Sequence, residues 1–255
     1  MVTALLLSGG TGTRMGVETP KQYIKVNGRP VIFYCLKSLF THAGIDAVQI
    51  VANEAWRDTI LQCMALGERR ADVRRMKDQA AEEEKNAVCA GSRNKFRGFS
   101  APGKNRQLSI LHGLTDIRNY MADSDYVLIH DAARPLLTAA QITDCLEAAA
   151  GHDGALPVLP MKDTVYLSGD GRKVTSLLER EKIFAGQAPE VFLFGKYYEA
   201  NKALLPDGIL HINGSTEPAV LAGMDIAVLP GDEENFKITT LADLRRFEQI
   251  QGDRK

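Results

Sequence analysis

Two cations near a run of glycines are the residues of this sequence best suited to chemistry on phosphate. Arg14 and Lys21 lie seven residues apart within "LLLSGGTGTRMGVETPKQY" (5–23), and Pro20 stiffens the approach to Lys21. Two positive side chains on a phosphate-holding loop can neutralise a triphosphate and the pentacoordinate phosphorus of a phosphoryl or nucleotidyl transfer. As isolated surface cations they could instead pair with Glu18 or with solvent.

The glycines of this loop permit phosphate to approach but do not identify a ligand. Glycine has no Cβ and tolerates positive φ, so backbone N–H groups can reach phosphate oxygens. A dinucleotide pattern G-x-G-x-x-G fails, because Gly10 and Gly12 are followed by Gly16, one residue late. No Gly-Lys-Ser/Thr closes a Walker loop either. A nicotinamide-dependent oxidoreductase is therefore disfavoured, since the sequence also lacks an acid suitably placed for a ribose.

A second group of reactive residues follows the apolar run "YVLI", within "HDAARP" (130–135). Ligands of open parallel sheets gather at the carboxyl ends of strands, so Asp131 and Arg134 are expected to face the same crevice as the glycine loop. The Asp131 carboxylate could hold Mg²⁺ on nucleotide phosphates, or it could cap the following turn. For His130 we favour a satisfied, partly buried imidazole over a direct chemical role.

The elements that must position these residues alternate between β-rich runs and longer segments of helical period. This rhythm predicts an α/β fold with a mostly parallel sheet flanked by helices. Thr138 is expected to cap one of the helices. Strands are predicted at 3–8, 46–52, 125–131 and 154–160, and helices at 30–44, 105–121 and 138–152.

After residue 160 the pattern changes. Residues 163–179 alternate with period two around Ser168-Gly169-Asp170-Gly171, which predicts a hairpin arm protruding from the sheet. The remaining chain predicts a helix over 191–204, strands over 224–231 and 235–239, and a final helix over 240–252 that Thr240 caps.

The composition disfavours a protein that binds nucleic acid or a membrane. The chain has 255 residues, 31 Lys and Arg against 32 Asp and Glu, and a formal net charge of -1, so no global positive field favours nucleic acid or an anionic membrane. No apolar run approaches the roughly 18 residues of a membrane span, and the first one is too short for a signal sequence. The cysteines form no C-x-x-C pair, which favours reduced thiols. We expect a single soluble, cytoplasmic domain. The four cysteines are Cys35, Cys63, Cys89 and Cys145.

One segment fits the α/β rhythm poorly. Residues 67–98 have a basic half followed by an acidic half, with few large apolar residues. We interpret this charged insertion, about 67–95, as a solvated helical extension or excursion, with partner binding as the alternative.

Taken together, six motifs carry a family resemblance over nearly the whole chain outside 67–95. The sequence resembles the cytidylyltransferases that act on 2-C-methyl-D-erythritol 4-phosphate or D-ribitol 5-phosphate. The resemblance implies a Rossmann-like nucleotidyltransferase fold, CTP and Mg²⁺, a CDP-polyol product, and a homodimer whose β-arms, here 163–180, exchange contacts. The motifs are "SGGTGTRMG…PKQY", "PGKNRQLSILHGL", "HDAARP", "PMKDT", "GQAPEVF" and "NFKITT".

The resemblance also implies roles for the nucleotide side of the site. Arg14 and Lys21 stand in the place of the family's catalytic cations, and Lys237 in the place of a late lysine that reaches back toward the triphosphate. Asp131 is similar to the aspartate that binds the metal and nucleotide. The first loop looks like the triphosphate cradle, with Ser8, Gly9, Gly10, Thr11, Gly12 and Thr13.

Further positions follow from the same motifs. Gly103 and Ser109 fall where the family contacts cytosine and ribose, and Arg106 matches an arginine expected to organise this loop. Arg134 is similar to a ligand of the polyol phosphate. The "PMKDT" residues Lys162, Asp163 and Thr164 are expected to bind substrate, with Lys162 reaching the acceptor phosphate of the neighbouring subunit.

The sequence departs from the family pattern at three places. Lys104 stands where an aspartate often lies near the nucleobase, so base selection would rest on backbone groups. Lys162 keeps the charge of an arginine but loses its bidentate fork. In 213–223 the family's Thr-Asp is replaced, either by Thr216-Glu217 or by Asn213-Gly214 with no acid.

The motifs define the reaction better than the acceptor. "GGTGTRMG", "GQAP" and "KITT" look more like the ribitol-phosphate branch, while the basic "PMKDT" and "LLERE" resemble the erythritol-phosphate branch. We lean toward 2-C-methyl-D-erythritol 4-phosphate, because that branch is more widespread. A nucleotide-binding homologue without turnover is the alternative of another class, since a fold does not guarantee a function.

Overall fold

The computed structural model describes residues 1–10, 19–65 and 94–253, in which one eight-stranded sheet is the central feature. Seven α-helices lie in these ranges: α1 Val31–Thr41, α2 Glu54–Ala65, α3 Arg106–Ile117, α4 Ala139–Ala148, α5 Phe194–Lys202, α6 Glu217–Leu221 and α7 Leu241–Asp253. The strands are β1 Val2–Leu7, β2 Lys25–Val26, β3 Arg29–Pro30, β4 Ala47–Val51, β5 Phe96–Ser100, β6 Tyr126–Asp131, β7 Gly154–Pro160, β8 Tyr166–Leu167, β9 Ser176–Leu177, β10 Phe184–Gly186, β11 Glu190–Leu193 and β12 Ile226–Pro230.

The main sheet is mostly parallel, as the alternation of elements predicts. Strand β1 lies at its centre and pairs in parallel with β4 and β6, while β5 extends the sheet beyond β4. On the other side, β11 joins β6 to β7 through antiparallel pairing, β10 pairs with β7, and β12 forms a parallel pair with β7. The carboxyl ends of β1 and β6 are adjacent, because Leu7 pairs with Asp131. The Rossmann-like α/β prediction is therefore confirmed.

Apolar side chains bury both faces of this sheet, which explains why β1 and β6 are almost continuously hydrophobic. One face packs against α1, α2 and α4 through residues such as Phe33 and Ile142. The opposite face packs against α3, α5 and α6 through residues such as Leu114, Tyr197 and Ala219. A smaller cluster of apolar side chains, including Phe247, attaches α7.

The predicted helix caps are present. Thr138 accepts a hydrogen bond from the backbone N–H of Gln141, whose side chain bonds back to Thr138, so α4 begins with a capping box. Thr240 accepts a hydrogen bond from the backbone N–H of Asp243 at 3.2 Å. These caps satisfy N–H groups that have no partner inside the helix.

Two predictions differ from the structure: one helix begins later than predicted, and one strand is absent from the described residues. The helix predicted over 191–204 begins only at Phe194, because Val191 and Phe192 are fully buried in β11 between β6 and β7. The strand predicted over 235–239 does not form. Instead, Ile238 N–H donates to the carbonyl of Ala133 at 2.8 Å and the Asn235 amide donates to the carbonyl of Ala188 at 2.7 Å.

The predicted hairpin is present as β8 and β9, which pair antiparallel and form a small sheet of their own. Asp170 closes its turn by accepting backbone N–H bonds from Arg172 and Lys173 at 2.8 and 3.1 Å. Large apolar side chains in and beside this arm are at least half exposed. They are Tyr166, Leu167, Val174, Leu177 and Phe184.

Other expectations concern the insertion, the thiols and the membrane. Most of the 67–95 insertion lies outside the described residues, as does Cys89, so the helical extension stays a prediction. Cys35, Cys63 and Cys145 are free and buried, in agreement with reduced thiols. In the described ranges, no helix has the length and apolar character needed to cross a membrane.

Candidate functional site

The beginning of the glycine loop is anchored by the segment that carries Lys21. Gln22 donates its amide to the carbonyls of Ser8 and Gly10 at 2.9 and 2.7 Å. The Tyr23 hydroxyl lies 2.7 Å from the Ser8 hydroxyl and 3.0 Å from the Ser8 carbonyl. Because Lys21, Gln22 and Tyr23 form one short 3-10 helix, these bonds fix the backbone of Lys21 relative to the loop. The sequence motif "PKQY" contains Gln22 and Tyr23, but its pattern does not indicate this anchoring role.

Gly9 permits this loop to approach a second segment closely. A Cβ at Gly9 would lie 2.6 Å from the Cβ of Pro102, closer than real side chains pack. A Cβ at Gly10 would meet nothing within 4 Å. Gly9 thus lies against Pro102, at the start of the segment where the nucleobase contacts are predicted. The predicted loop residues Thr11, Gly12, Thr13 and Arg14 lie outside the described residues.

Gly103 and Ser109 are hydrogen-bonded to each other and organise their own loop, and their contacts with cytosine and ribose stay a prediction. Gly103 N–H donates to the Ser109 hydroxyl at 2.9 Å, and that hydroxyl donates to the carbonyl of Asn105 at 2.8 Å. Asn105 caps α3 by accepting from Leu108 N–H at 2.8 Å. A Cβ at Gly103 would lie 2.7 Å from Leu108, so a larger residue would open this turn. Exposed Lys104 lies at the outer side of the same loop.

The centre of the site is a cluster of one carboxylate and three cations, which we call the Asp131 cluster. Arg106 Nε lies 3.1 Å from Asp131 Oδ1, and Lys237 Nζ lies 2.8 Å from Asp131 Oδ2. Arg134 Nε is 3.9 Å from the same Oδ2 atom. The cluster therefore joins the start of α3, the end of β6 and a segment more than 100 residues further along the chain.

The cluster keeps its carboxylate ionised. Burial would raise the pKa of Asp131, but Arg106, Lys237 and Arg134 outweigh it and hold that pKa well below its usual range. Burial lowers the pKa of Arg106, yet Asp131 and Glu190 more than reverse this effect. For Arg134, burial prevails and its pKa falls. The result is a desolvated, cation-rich surface in which interactions with anionic oxygens are stronger than in water.

Arg134 is held by its own neighbours. Its Nη1 donates to the carbonyl of Asn235 at 2.7 Å, which connects it to the segment that carries Lys237. Within the described part of the chain, its buried Nε atom has no hydrogen-bond acceptor. A buried donor without a hydrogen-bond partner is costly, and the Asp131 carboxylate 3.9 Å away offsets part of that cost electrostatically.

His130 is fully buried, and its Nε2 lies 3.0 Å from the carbonyl of Arg134. Burial lowers its pKa to about 4, so the imidazole is neutral at neutral pH. The satisfied-imidazole interpretation holds for Nε2 only, because the buried Nδ1 atom has no hydrogen-bond partner among the described residues. Its contact shapes the turn that carries Arg134.

The donor set limits what kind of metal site Asp131 can form. No group of three or more His, Cys, Asp or Glu side chains is assembled for a metal in residues 1–10, 19–65 and 94–253. Mg²⁺ can be held by one carboxylate together with substrate phosphates and water. An ionised Asp131 fits that mode, because each carboxylate oxygen keeps further acceptor capacity beside the cation it contacts.

The three predicted substrate-binding residues within the "PMKDT" motif have other neighbours than this cluster. Lys162 is exposed and forms an ion pair with Glu233. Asp163 and Thr164 are also exposed. Among the described residues, no hydrogen bond or ion pair joins these three to the Asp131 cluster, so a role in substrate binding stays a prediction.

The segment 213–218 places no acid in the cluster. Thr216 is the N-cap residue of α6, and the Glu217 carboxylate accepts backbone N–H bonds from Asn213 and Gly214 at 2.8 and 3.4 Å. Glu217 therefore shapes its own turn. The carboxylate that does lie near the arginines is Glu190 of "GQAPEVF", which is not among the predicted site residues. A charged residue directly before a buried apolar run was the available signal.

Comparison with known proteins identifies the family. Residues 2–252 match the family model described as IspD: 2-C-methyl-D-erythritol 4-phosphate cytidylyltransferase. The chain is 32% identical over 246 residues to the 2-C-methyl-D-erythritol 4-phosphate cytidylyltransferase of Geotalea uraniireducens, covering 95% of this chain and 93% of that protein. It is 33% identical over 248 residues to a Bifunctional enzyme IspD/IspF of Bradyrhizobium sp., covering 96% of this chain.

The chain spans about half of that bifunctional relative, 55% of its length. Among solved structures, 4-diphosphocytidyl-2C-methyl-D-erythritol synthase from Anaerococcus prevotii has the same fold, with a TM-score of 0.74 and 19% identity, covering 99% of this chain and 98% of the other. With a family model that spans nearly all of its residues, the chain belongs to the 2-C-methyl-D-erythritol 4-phosphate cytidylyltransferase (IspD) family.

Proposed function

We propose that this protein is a nucleotidyltransferase that transfers CMP from CTP to 2-C-methyl-D-erythritol 4-phosphate in isoprenoid precursor synthesis. The observation that carries the proposal is the Asp131 cluster, which gathers Arg106, Arg134 and Lys237 beside the glycine loop at the carboxyl ends of β1 and β6. Membership of the family supports the same reaction and favours the methylerythritol acceptor over D-ribitol 5-phosphate.

The chemistry needs little beyond positioning and charge neutralisation. A phosphate oxygen of the acceptor forms a bond to the α-phosphorus of CTP, the α–β P–O bond breaks, and pyrophosphate leaves with that electron pair. The attacking oxygen is already anionic, so no strong general base is required. A partly buried cluster of cations can stabilise the charge that builds on the pentacoordinate phosphorus.

Each cation has a distinct place in this scheme. Arg106 and Lys237 are positioned by Asp131 from two sides, so their remaining N–H donors are directed without large side-chain reorganisation. We assign Arg134, which the carbonyl of Asn235 and the Asp131 carboxylate hold in place, to the acceptor phosphate. Lys21, whose backbone Gln22 and Tyr23 anchor to the loop, acts on the triphosphate together with Arg14.

Asp131 is the proposed ligand for Mg²⁺. When bound, the ion would neutralise charge on the triphosphate. The chain's own part is to keep the Asp131 carboxylate ionised and to hold it at the end of β6, beside the cations.

We also propose that this protein is a homodimer and that it is located in the cytoplasm. The exposed apolar side chains of the β8–β9 arm support the dimer, because a second copy of the arm could cover them. Lys162, Asp163 and Thr164 lie at the base of the arm, where a neighbouring subunit's site could use them.

The test is pyrophosphate release from CTP and Mg²⁺ with each acceptor in parallel. We expect release with 2-C-methyl-D-erythritol 4-phosphate and at least about tenfold lower kcat/KM with D-ribitol 5-phosphate, a difference of about 1.4 kcal/mol. A higher kcat/KM with D-ribitol 5-phosphate would show that this compound is the preferred acceptor. CTP binding by calorimetry without turnover on either acceptor would instead support the nucleotide-binding homologue.

A further inference from the structure

Glu190 is a buried carboxylate that the proposed reaction does not use. It is 8% exposed and begins β11, where its cross-strand partner on β6 is Ile129. Directly opposed residues of antiparallel strands point to the same face, and so do residues two apart on one strand. Glu190 therefore lies on the face of the sheet that carries Asp131 and is covered by α3.

A continuous chain of buried hydrogen bonds leads from Glu190 to the start of α3. The Ser215 hydroxyl donates to the Glu190 carboxylate, and the Tyr197 hydroxyl donates to the carbonyl of Ser215 at 2.7 Å. The Gln107 amide then donates to the Tyr197 hydroxyl at 3.1 Å and to Asn201 at 2.5 Å. All of these residues are buried, and Gln107 is the neighbour of Arg106.

Glu190 and Arg106 also interact electrostatically. Glu190 and Arg106 do not form an ion pair within 4 Å, yet Glu190 is one of the anions that favour the charged form of Arg106. Burial raises the pKa of Glu190, and Arg106 and the Ser215 hydroxyl oppose that rise. A buried charge must be compensated, so an ionised Glu190 favours conformations in which the guanidinium of Arg106 stays nearby.

We propose that Glu190 is a positioning residue which, through Ser215, Tyr197 and its charge, fixes the Arg106 guanidinium against Asp131. It also couples the turn at 213–216 to the nucleotide side of the site. Glu190 does not bind the anionic substrates, because a carboxylate would repel them; it acts through Arg106. The inference rests on the proposed transfer of CMP.

The first variant that tests this proposal is Glu190→Gln. Glutamine keeps the shape and can still accept from Ser215, but it removes the charge. We expect kcat to fall about tenfold or more while KM for CTP changes less than about threefold, because the interaction matters most when charge develops. The matched control is Glu199→Gln on α5, an exposed carboxylate paired with Lys202, which should leave kcat unchanged.

A double-mutant cycle separates a positioning role from a merely structural one. If Glu190 acts through Arg106, Glu190→Gln should lower kcat/KM less than about twofold in an Arg106→Gln background. Additive losses would overturn the proposal. If Glu190→Gln does not fold, judged by its unfolding midpoint, Ser215→Ala takes its place in the same cycle.

Failure of the proposed function would be seen separately, as a wild-type protein that releases no pyrophosphate. The cycle is then measured on the free energy of unfolding by urea titration. Non-additive losses of stability for Glu190→Gln and Arg106→Gln support the positioning of Arg106, and additive losses overturn it.

Discussion

Asp131 and Lys237 form an ion pair of 2.8 Å although 106 residues separate them in the chain. The same carboxylate contacts Arg106 through its other oxygen, at 3.1 Å. One buried anion thus fixes two cations from distant segments. This arrangement makes the cations the first target for mutation.

Replacing the proposed catalytic cations should abolish most turnover. We expect Arg14→Ala, Lys21→Ala and Lys237→Ala each to lower kcat by about 100-fold or more, the scale of losing one donor to the transition state. Steady-state pyrophosphate release measures the loss, with Lys202→Ala as the control because Lys202 pairs with Glu199 on the surface. Near-normal turnover in any of the three would remove that residue from the proposed mechanism.

Removing the charge of Asp131 should destabilise the fold and change how its stability depends on pH. Asp131→Asn leaves Arg106, Arg134 and Lys237 without their buried anion, for which we expect a loss of about 3 kcal/mol in the free energy of unfolding at pH 7. The folded-state pKa of Asp131 is depressed, so its contribution is present above the unfolded pKa of about 4 and is lost as pH falls below that value.

Urea unfolding between about pH 7 and pH 3 measures both effects. Wild-type stability should fall more steeply than that of Asp131→Asn as the pH drops below about 4, so the two curves should approach each other. Parallel curves would show that Asp131 titrates normally.

The single tryptophan should report on the glycine loop. Trp56 stacks on Tyr23 with ring centroids 4.3 Å apart and planes at 8°, and the Tyr23 hydroxyl bonds to Ser8. We expect CTP to change the Trp56 emission, because ligand contact with the loop would be transmitted through Tyr23. Tyr23→Phe keeps the stacked ring and removes the hydroxyl, so the signal should persist while the Kd for CTP rises by about threefold or more. Unaltered emission at saturating CTP would contradict this connection.

Two adjacent glycines should differ sharply in their tolerance of a methyl group. A Cβ at Gly9 would clash with Pro102 at 2.6 Å, whereas at Gly10 it would meet open space. We expect Gly9→Ala to lower the free energy of unfolding by about 1 to 3 kcal/mol, and Gly10→Ala to change it by less than about 0.5 kcal/mol. Thermal or urea unfolding of the pair provides the comparison. Equal stabilities would show that the loop does not rest on Pro102.

The elements that sequence periodicity predicted well are those whose burial follows a simple rule. β1, β6 and β7 are apolar runs, and α4 carries both its period and its cap in the local sequence. Residues 191–193 of β11 are predicted as helix because they run directly into α5, with no Pro or Gly between them and Phe194. Val191 and Phe192 adopt an extended backbone because they pair with β6 and β7, which the local sequence does not indicate.

The residues of the candidate site likewise include some that the sequence predicts and some that only the tertiary structure shows. Asp131 and Arg134 could be placed from the strand that precedes them, and Lys237 from the resemblance to the family. Glu190 has only a weak signal in the sequence, a charge directly before an apolar run, because its importance lies in a tertiary contact with Ser215 and in the charge of Arg106. The strand predicted over 235–239 failed for a related reason: its polar groups bond to Ala133, Ala188 and Arg134 rather than to a strand partner.

Lys237 thus depends on a segment that no sheet stabilises. The bonds to Asn235 and Ile238, one on each side of Lys237, attach it to the body of the protein. Helix α7 follows directly, and its packing through Phe247 determines whether that attachment is maintained. Proteins open locally at energies below that of global unfolding, and peripheral elements open first. Detachment of the C-terminal helix would therefore withdraw a proposed catalytic cation while the central sheet stays intact, so this protein should lose activity on warming before it loses its secondary structure.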